Sequence, residues 1–255
     1  MIPSFSLEHQ VAVVTGASSG LGAHFAHVLA EAGAKVALLA RRKRLAEEVA
    51  AELKSHGWTA TAFAADVTDR DSLHRALHDI EGALGAPDIL VNNAGMHAGL
   101  FTLDLEPEDW NAVIDTNLTG TWAITQQVAQ HWVERKRPGV VVNIASILGF
   151  GVSQGVVPYA VSKAAVVQLT KGLALEWARY GIRVNALAPG YFPTDLTKDF
   201  LASPEGEAMV KRIPMRRLGK LEDLDGPLLL LASPASGYMT GSVITVDGGH
   251  LNATL

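Results

Sequence analysis

Apolar residues along this chain fall in short, nearly unbroken runs at 11–15, 35–39, 59–64, 89–92, 140–144, 183–188 and 242–246, many of them rich in Val and Ile. A strand covered on both faces reads as a continuous apolar run, whereas a half-exposed strand alternates. Between these runs the polar and apolar positions recur at helical spacing, over 20–32, 43–56, 69–84, 107–135, 158–180 and 221–232. Strand and helix in alternation predict right-handed βαβ units, and so an α/β fold with a doubly wound parallel sheet and helices on both faces. Gly33, Gly57, Gly85-Ala86-Pro87, Pro138-Gly139 and Pro189-Gly190 punctuate the joints.

The rhythm runs without an internal repeat, a low-complexity tract or a composition shift that would mark a linker. Residues 1–255 are therefore expected to form one domain. The stretch 191–219 breaks the alternation and holds Pro193, Pro204 and Pro214. A connection that long is usually functional, so a substrate-covering loop is expected there. The helical stretches within 110–135 and 159–180 carry apolar groups on more than one face, with Trp122 and Trp132 in the first and Leu173 and Leu175 in the second. A helix apolar all round is buried, here by the sheet on one side and a second subunit on the other.

Composition narrows the classes of function. Hydrophobic residues make up 48% and mean hydropathy is +0.18. No apolar run approaches the roughly 18 residues that a membrane span requires. The first residues lack a basic segment followed by an apolar one and a cleavage site, so a cytoplasmic location is expected. With no cysteine, disulfides, thiolate zinc sites and cysteine nucleophiles are excluded, and no metal site is expected. A net charge of −5 and a pI near 6.0 argue against nucleic-acid binding, apart from the local run Arg41-Arg42-Lys43-Arg44.

Candidate chemistry begins at Thr15-Gly16-Ala17-Ser18-Ser19-Gly20-Leu21-Gly22, between the first strand and the first helix. Glycines there let backbone approach a pyrophosphate, whose charge sits against helix N-terminal N–H groups. The spacing is looser than G-x-G-x-x-G, and an ordinary Gly/Ser turn is the alternative. Asp66-Val67 closes the third strand and Asn92-Asn93-Ala94-Gly95 the fourth, on the rim where such sheets bind ligands. Where a carboxylate would select NAD, the second strand ends in Ala40, followed by Arg41 and Arg42. Two guanidiniums without a repelling carboxylate predict a preference for NADP(H), with NAD(H) possible.

Further along, Tyr159 and Lys163 stand one helical turn apart, with Ser146 thirteen residues before the tyrosine. A phenol with an ordinary pKa of about 10 is a poor acid or base at neutral pH. An adjacent ammonium favours the phenolate, so Lys163 is expected to draw the tyrosine pKa down. A hydroxyl on Ser146 can hold the oxygen that gains or loses the proton.

Taken together, TGASSGLG (Thr15–Gly22), Asp66-Val67, NNAG (Asn92–Gly95), Asn117, Ser146, Tyr159-x-x-x-Lys163, Pro189-Gly190 with Thr194, and Asp247-Gly248-Gly249 resemble the short-chain dehydrogenase/reductase family over essentially the whole chain. The resemblance implies a seven-stranded Rossmann fold, nicotinamide-dependent interconversion of an alcohol and a carbonyl, and commonly a homotetramer. It implies that Tyr159 transfers the proton, that Ser146 holds the substrate oxygen, and that Lys163 also binds the nicotinamide ribose. Asn117 would position a water linking Lys163 to solvent, and Thr194 with the backbone near Phe192 would meet the carboxamide.

On the substrate side, Tyr191, Phe192, Leu196, Phe200, Leu201 and Met209 face Leu148, Phe150, Val152 and Val156 as an expected apolar lining for a small to medium hydrophobic ketone or secondary alcohol. The alternative is that they only pack the loop onto the body. His97 is expected to be exposed on its loop, with a reach to the pocket mouth as the alternative. Lys211, Arg212, Arg216 and Arg217 are expected to be solvated, with attraction of an anionic substrate as the alternative. The leading expectation is an NADP(H)-dependent carbonyl reductase or alcohol dehydrogenase. An NAD-linked dehydrogenase of a hydroxylated metabolite and a catalytically silent dinucleotide-binding protein are the competing readings.

Overall fold

In a computed structural model that describes residues 4–194, 197–201 and 203–252, seven parallel strands form one sheet. They are β1 (Val11–Thr15), β2 (Lys35–Ala40), β3 (Ala60–Ala64), β4 (Ile89–Asn92), β5 (Gly139–Ile144), β6 (Ile182–Pro189) and β7 (Val243–Val246), in the order β3-β2-β1-β4-β5-β6-β7. The order reverses between β1 and β4, which opens a crevice at their C-terminal ends.

Alternate residues of β1 serve opposite faces. Ala12 and Val14 join a core with Phe25, Leu29, Leu53 and Leu228, while Val11 and Val13 join one with Leu73, Ile80, Val128 and Trp132. The first face is covered by α1 (Gly20–Glu31), α2 (Lys43–Ser55) and, last in the chain, α9 (Asp225–Ala232). The second carries α3 (Arg70–Leu84), α5 (Gly120–Glu134) and part of α6 (Val157–Trp177). Trp132 fixes α5 to the sheet: its indole N–H donates to the Pro87 carbonyl at 2.6 Å, and a Cβ at Gly139 would lie 2.2 Å from the ring.

Two predicted helices are divided. The stretch 107–135 becomes α4 (Pro107–Ile114), a π turn (Asp115–Thr119) and then α5. At the end of that turn Gly120 abuts Val67, where any Cβ would lie 2.8 Å from the valine methyl. Residues 221–224 form a 3-10 turn ahead of α9. The connection 191–219 is not structureless, for it contains α7 (Lys198–Leu201) and α8 (Pro204–Val210). Leu196, expected in the substrate lining, lies outside the described residues. Among the described residues no helix is long and apolar enough to cross a membrane.

Candidate active site

At the C-terminal rim, the β1–α1 turn and the segment after β4 interlock. Thr15 Oγ1 accepts the backbone N–H groups of Asn93 and Ala94, each at 3.0 Å, while Asn93 Nδ2 donates to the carbonyls of Thr15 and Gly16 at 3.1 and 3.2 Å. Space permits only glycine at two points. A Cβ on Gly16 would lie 2.8 Å from Ala94 Cα, and one on Gly22 would lie 2.3 Å from the Gly16 carbonyl oxygen. Gly16 and Gly20 also hold positive φ, at 65° and 56°.

Helix α1 has no acidic residue in its first turn, and its N-cap Ser19 makes no side-chain cap. Its leading N–H groups therefore face the crevice as an anion-binding terminus. Leu21 packs inward against the first core. Thr194 lies opposite, its Cβ 3.7 Å from where a Gly20 Cβ would be. The residues present thus fit a dinucleotide pyrophosphate: a cradle that side chains would fill, an uncapped helix start and a closing threonine.

Beyond β2 the four cations take separate partners. Lys43 pairs with Glu47 and Arg44 with Glu48, both one turn along α2. Arg42 turns back, its Nη2 donating to Ser18 Oγ at 3.5 Å and Ser19 Oγ at 3.4 Å. Arg41 acts on Asp66, which accepts the Thr68 N–H at 2.9 Å and hydroxyl at 2.8 Å. Burial raises the Asp66 carboxyl, but those hydrogen bonds and the Arg41 charge outweigh it and the net direction is downward.

The proton-handling residues converge where β5 ends and α6 begins. Ser146, buried after β5, lies beside the Tyr159 hydroxyl and accepts the Leu148 N–H at 3.1 Å. Lys163 is buried one turn further along α6, its Nζ 5.6 Å from the Tyr159 ring centroid. The ammonium donates to the Ile144 carbonyl at 2.7 Å. Burial draws the Lys163 pKa down to about 8. The expected downward pull of Lys163 on Tyr159 is not what the site shows. Burial pushes the tyrosine upward, Ser146 opposes this, and Tyr191 adds to the rise. Desolvation of the phenolate is the largest of these effects and sets the direction.

Asn117 sits on the π turn and does more than satisfy its own helix. Its Oδ1 accepts the Met96 N–H at 2.8 Å, and its Nδ2 donates to the Met96 carbonyl at 2.9 Å and to Ser162 Oγ at 3.0 Å. Ser162 donates in turn to the Tyr159 carbonyl at 2.7 Å. A Cβ on Gly95 would lie 3.4 Å from Asn117 Oδ1 and 3.6 Å from Lys163 Nζ, so this glycine borders both side chains. Val67 is buried against the start of α5.

Pro189 ends β6 in register with Val246, and the Gly190 N–H donates to the Val246 carbonyl at 2.8 Å. Phe192 turns into the core, its ring filling the space above Gly219, and its carbonyl accepts the Thr197 hydroxyl at 2.6 Å. Met209 is buried as well, so both residues pack the connection onto the body. Phe150, Val152 and Phe200 remain exposed, while Leu148, Val156 and Leu201 are half-buried.

Sequence reasoning missed a buried polar ladder beneath the site. Asn92 Nδ2 donates to Thr125 Oγ1 at 2.6 Å and to Asn143 Oδ1 at 2.8 Å, and Asn143 Nδ2 donates to Thr170 Oγ1 at 2.9 Å. The available signal was an asparagine inside the apolar run 140–144, in register with Asn92. Ser162, hidden between the tyrosine and the lysine, had no comparable signal. No group of three or more His, Cys, Asp or Glu able to hold a metal exists among the described residues.

Known proteins match this architecture. The sequence profile described as short chain dehydrogenase matches residues 10–205. Gluconate 5-dehydrogenase of Gluconobacter oxydans (strain 621H) is 38% identical over 246 residues, 96% of this chain and 96% of its own. The 3-oxoacyl-(acyl-carrier-protein) reductase of Thermotoga maritima is 37% identical over 243 residues, 95% of this chain and 98% of its own. Among solved structures, a gluconate 5-dehydrogenase from Burkholderia cenocepacia J2315, in complex with NADP and tartrate, matches with a TM-score of 0.94 at 37% identity, over 99% of both chains.

Proposed function

The chain belongs to the short-chain dehydrogenase family of oxidoreductases, and from that premise we propose that it interconverts a ketone and a secondary alcohol with NADP(H), using Tyr159 as the acid and base. One observation carries the reading: Ser146 lies beside the Tyr159 hydroxyl, and the buried lysine beside the tyrosine ring borders Gly95, in the segment that interlocks with the glycine turn. A nicotinamide dinucleotide, when bound, supplies or accepts the hydride. Ser146 and Tyr159 hold the substrate oxygen, and the phenol gives up its proton there during reduction or takes it back during oxidation. Lys163 and the Asn117–Ser162 bridge fix the first turn of α6, so that the phenol keeps one position. Thr194 and the backbone near Phe192 would close over the cofactor.

Preference for NADP(H) over NAD(H) is supported by Ala40 in place of a carboxylate and by Arg42, which already reaches the two serines of the turn. Arg41 is partly committed to Asp66, so Arg42 carries most of the grip on a 2′-phosphate. Phe150 and Phe200 support an apolar contribution to the binding of a small to medium substrate, with 191–219 as its cover and the whole chain as one catalytic unit. Exposed Trp122, Val133, Val161 and Leu175 on α5 and α6 support self-association, and a homotetramer is the state we infer. Sedimentation at micromolar concentration tests that state, and a monodisperse monomer refutes it.

The activity is tested by following absorbance at 340 nm across ketones and alcohols with both cofactors. Tyr159→Phe is expected to lose about 10²–10⁴-fold in kcat while binding NADPH normally. Near-normal turnover by that variant removes the mechanism, and a clear advantage for NADH removes the cofactor assignment.

A further inference from the structure

Three segments distant in sequence close one side of the site next to Tyr159. Tyr191, just after β6, bears electrostatically on Tyr159 and lies beside Ser153 from the connection between Ser146 and α6. The third is the C-terminal turn at His250, whose ring centroid lies 5.5 Å from that of Tyr191.

This turn is held from several sides. Asp247 accepts the Gly249 N–H on one carboxylate oxygen and the Leu251 N–H on the other, both at 2.8 Å. Met215 N–H donates to the Gly248 carbonyl at 3.1 Å, a Cβ on Gly249 would meet Pro214 at 3.1 Å, and Leu251 packs at Gly151. A rigid clamp therefore delivers the His250 imidazole to the wall of the site, where its Nδ1 is buried without a hydrogen-bond partner. A buried polar nitrogen left unpaired is unfavourable and calls for a partner, an ordered water or a ligand group being two that could supply it. On the other flank, the His97 ring meets Tyr159 edge-on at 6.5 Å.

We propose that His250, with Tyr191 and Ser153, recognises a substrate hydroxyl, so that the substrate is a ketone carrying a hydroxyl group beside its carbonyl, or the corresponding diol. The proposal rests on the ketone–alcohol chemistry assigned to Ser146 and Tyr159 and adds which ketones are taken. A site built to hydrogen-bond a hydroxyl discriminates strongly against the analogue lacking it, because its own polar groups then stay unpaired.

Two ketone pairs that differ by one hydroxyl test it with NADPH: acetoin against 2-butanone, and 2-hydroxycyclohexanone against cyclohexanone. The wild-type protein is expected to favour the hydroxylated member by about tenfold or more in kcat/KM. His250→Ala brings that ratio to within about threefold of one, and His250→Asn, whose side-chain amide can stand near the Nδ1 position, restores part of it. Circular dichroism on both variants establishes that the fold is retained, and the within-enzyme ratio is insensitive to a general loss of active protein. Equal kcat/KM for both members in the wild type overturns the hydroxyl subsite while leaving the reductase reading intact. An undiminished preference in His250→Ala overturns the role of His250. Failure to reduce any of the four ketones, with NADPH bound, overturns the reductase reading and this inference with it.

Discussion

Replacing Lys163 by methionine should make the cofactor-free protein more stable at neutral pH, although it removes a residue of the reaction centre. The ammonium is only 4% exposed, has no carboxylate partner among the described residues, and has its pKa drawn from 10.5 to about 8 by burial alone. At about 1.4 kcal/mol per pH unit, holding that charge in place costs about 3 kcal/mol at pH 7. Methionine fills similar space without a charge but leaves the Ile144 carbonyl unbonded, which returns about 1–3 kcal/mol of the gain. The expected net effect is a stabilisation of about 0–2 kcal/mol, against the loss of about 3–5 kcal/mol expected for breaking a buried ion pair. The pH dependence is the sharper readout. Between pH 8 and 10.5 the unfolded state holds this proton and the native state does not, so wild-type stability rises with pH. The difference between variant and wild type should therefore fall by about 1.4 kcal/mol per pH unit across that window, about 3 kcal/mol in all, so that above it the variant is the less stable by about the 1–3 kcal/mol of the unbonded carbonyl. Urea unfolding followed by tryptophan fluorescence, at fixed protomer concentration and in a Tyr159→Phe background to remove the coupled phenol, measures the difference directly. A difference that stays flat from pH 7 to 10, or a variant several kcal/mol less stable at pH 7, refutes the reasoning.

Three further outcomes follow from the same geometry. Arg42→Ala should lower kcat/KM with NADPH by about 10–100-fold, as expected for losing a charge-assisted contact of about 1.5–3 kcal/mol, and change the NADH value by less than about threefold; equal losses with both cofactors would assign the arginine elsewhere. Gly22→Ala places a Cβ against the Gly16 carbonyl, so dinucleotide binding measured by fluorescence should weaken and stability should fall by about 1–3 kcal/mol; unchanged values would mean that the turn can relax. Asn143→Leu cuts the ladder to Asn92 and Thr170 and should destabilise by about 1–3 kcal/mol in denaturant unfolding, while a neutral result would show that the remaining groups re-pair.

Much of the architecture was legible in the sequence because both faces of the sheet are covered, which turns strands such as Val11–Thr15 into unbroken apolar runs. The rim residues were legible for a different reason: glycines at 16 and 22 and the asparagine at 93 stand where the chain must fold back on itself. Periodicity could not foresee the π turn, since 107–135 keeps a helical pattern through it, and the close approach of Gly120 to Val67 at its end is a tertiary contact. Charge counting expected four like cations after β2, whereas carboxylates one turn away occupy two of them. The inward turn of Phe192 and Met209 was equally hidden, because an apolar residue in a long connection reads the same whether it lines a cavity or fills a core. The direction of the Tyr159 shift depends on how deeply the phenol itself is buried, and residue spacing carries no information on that.

The break between α4 and α5 amounts to one surplus residue threaded into a helix. Each residue turns a helix by about 100°, so everything after Asn117 is rotated by that angle relative to an unbroken rod. Straightening the turn with every residue kept would therefore swing Trp132 off Pro87 and Gly139, whereas deleting one residue there would regularise the hydrogen-bond ladder and leave Trp132 in place. The irregularity that aims Asn117 is thus also what brings the far end of the helix into register with the sheet, and neither end can be straightened alone.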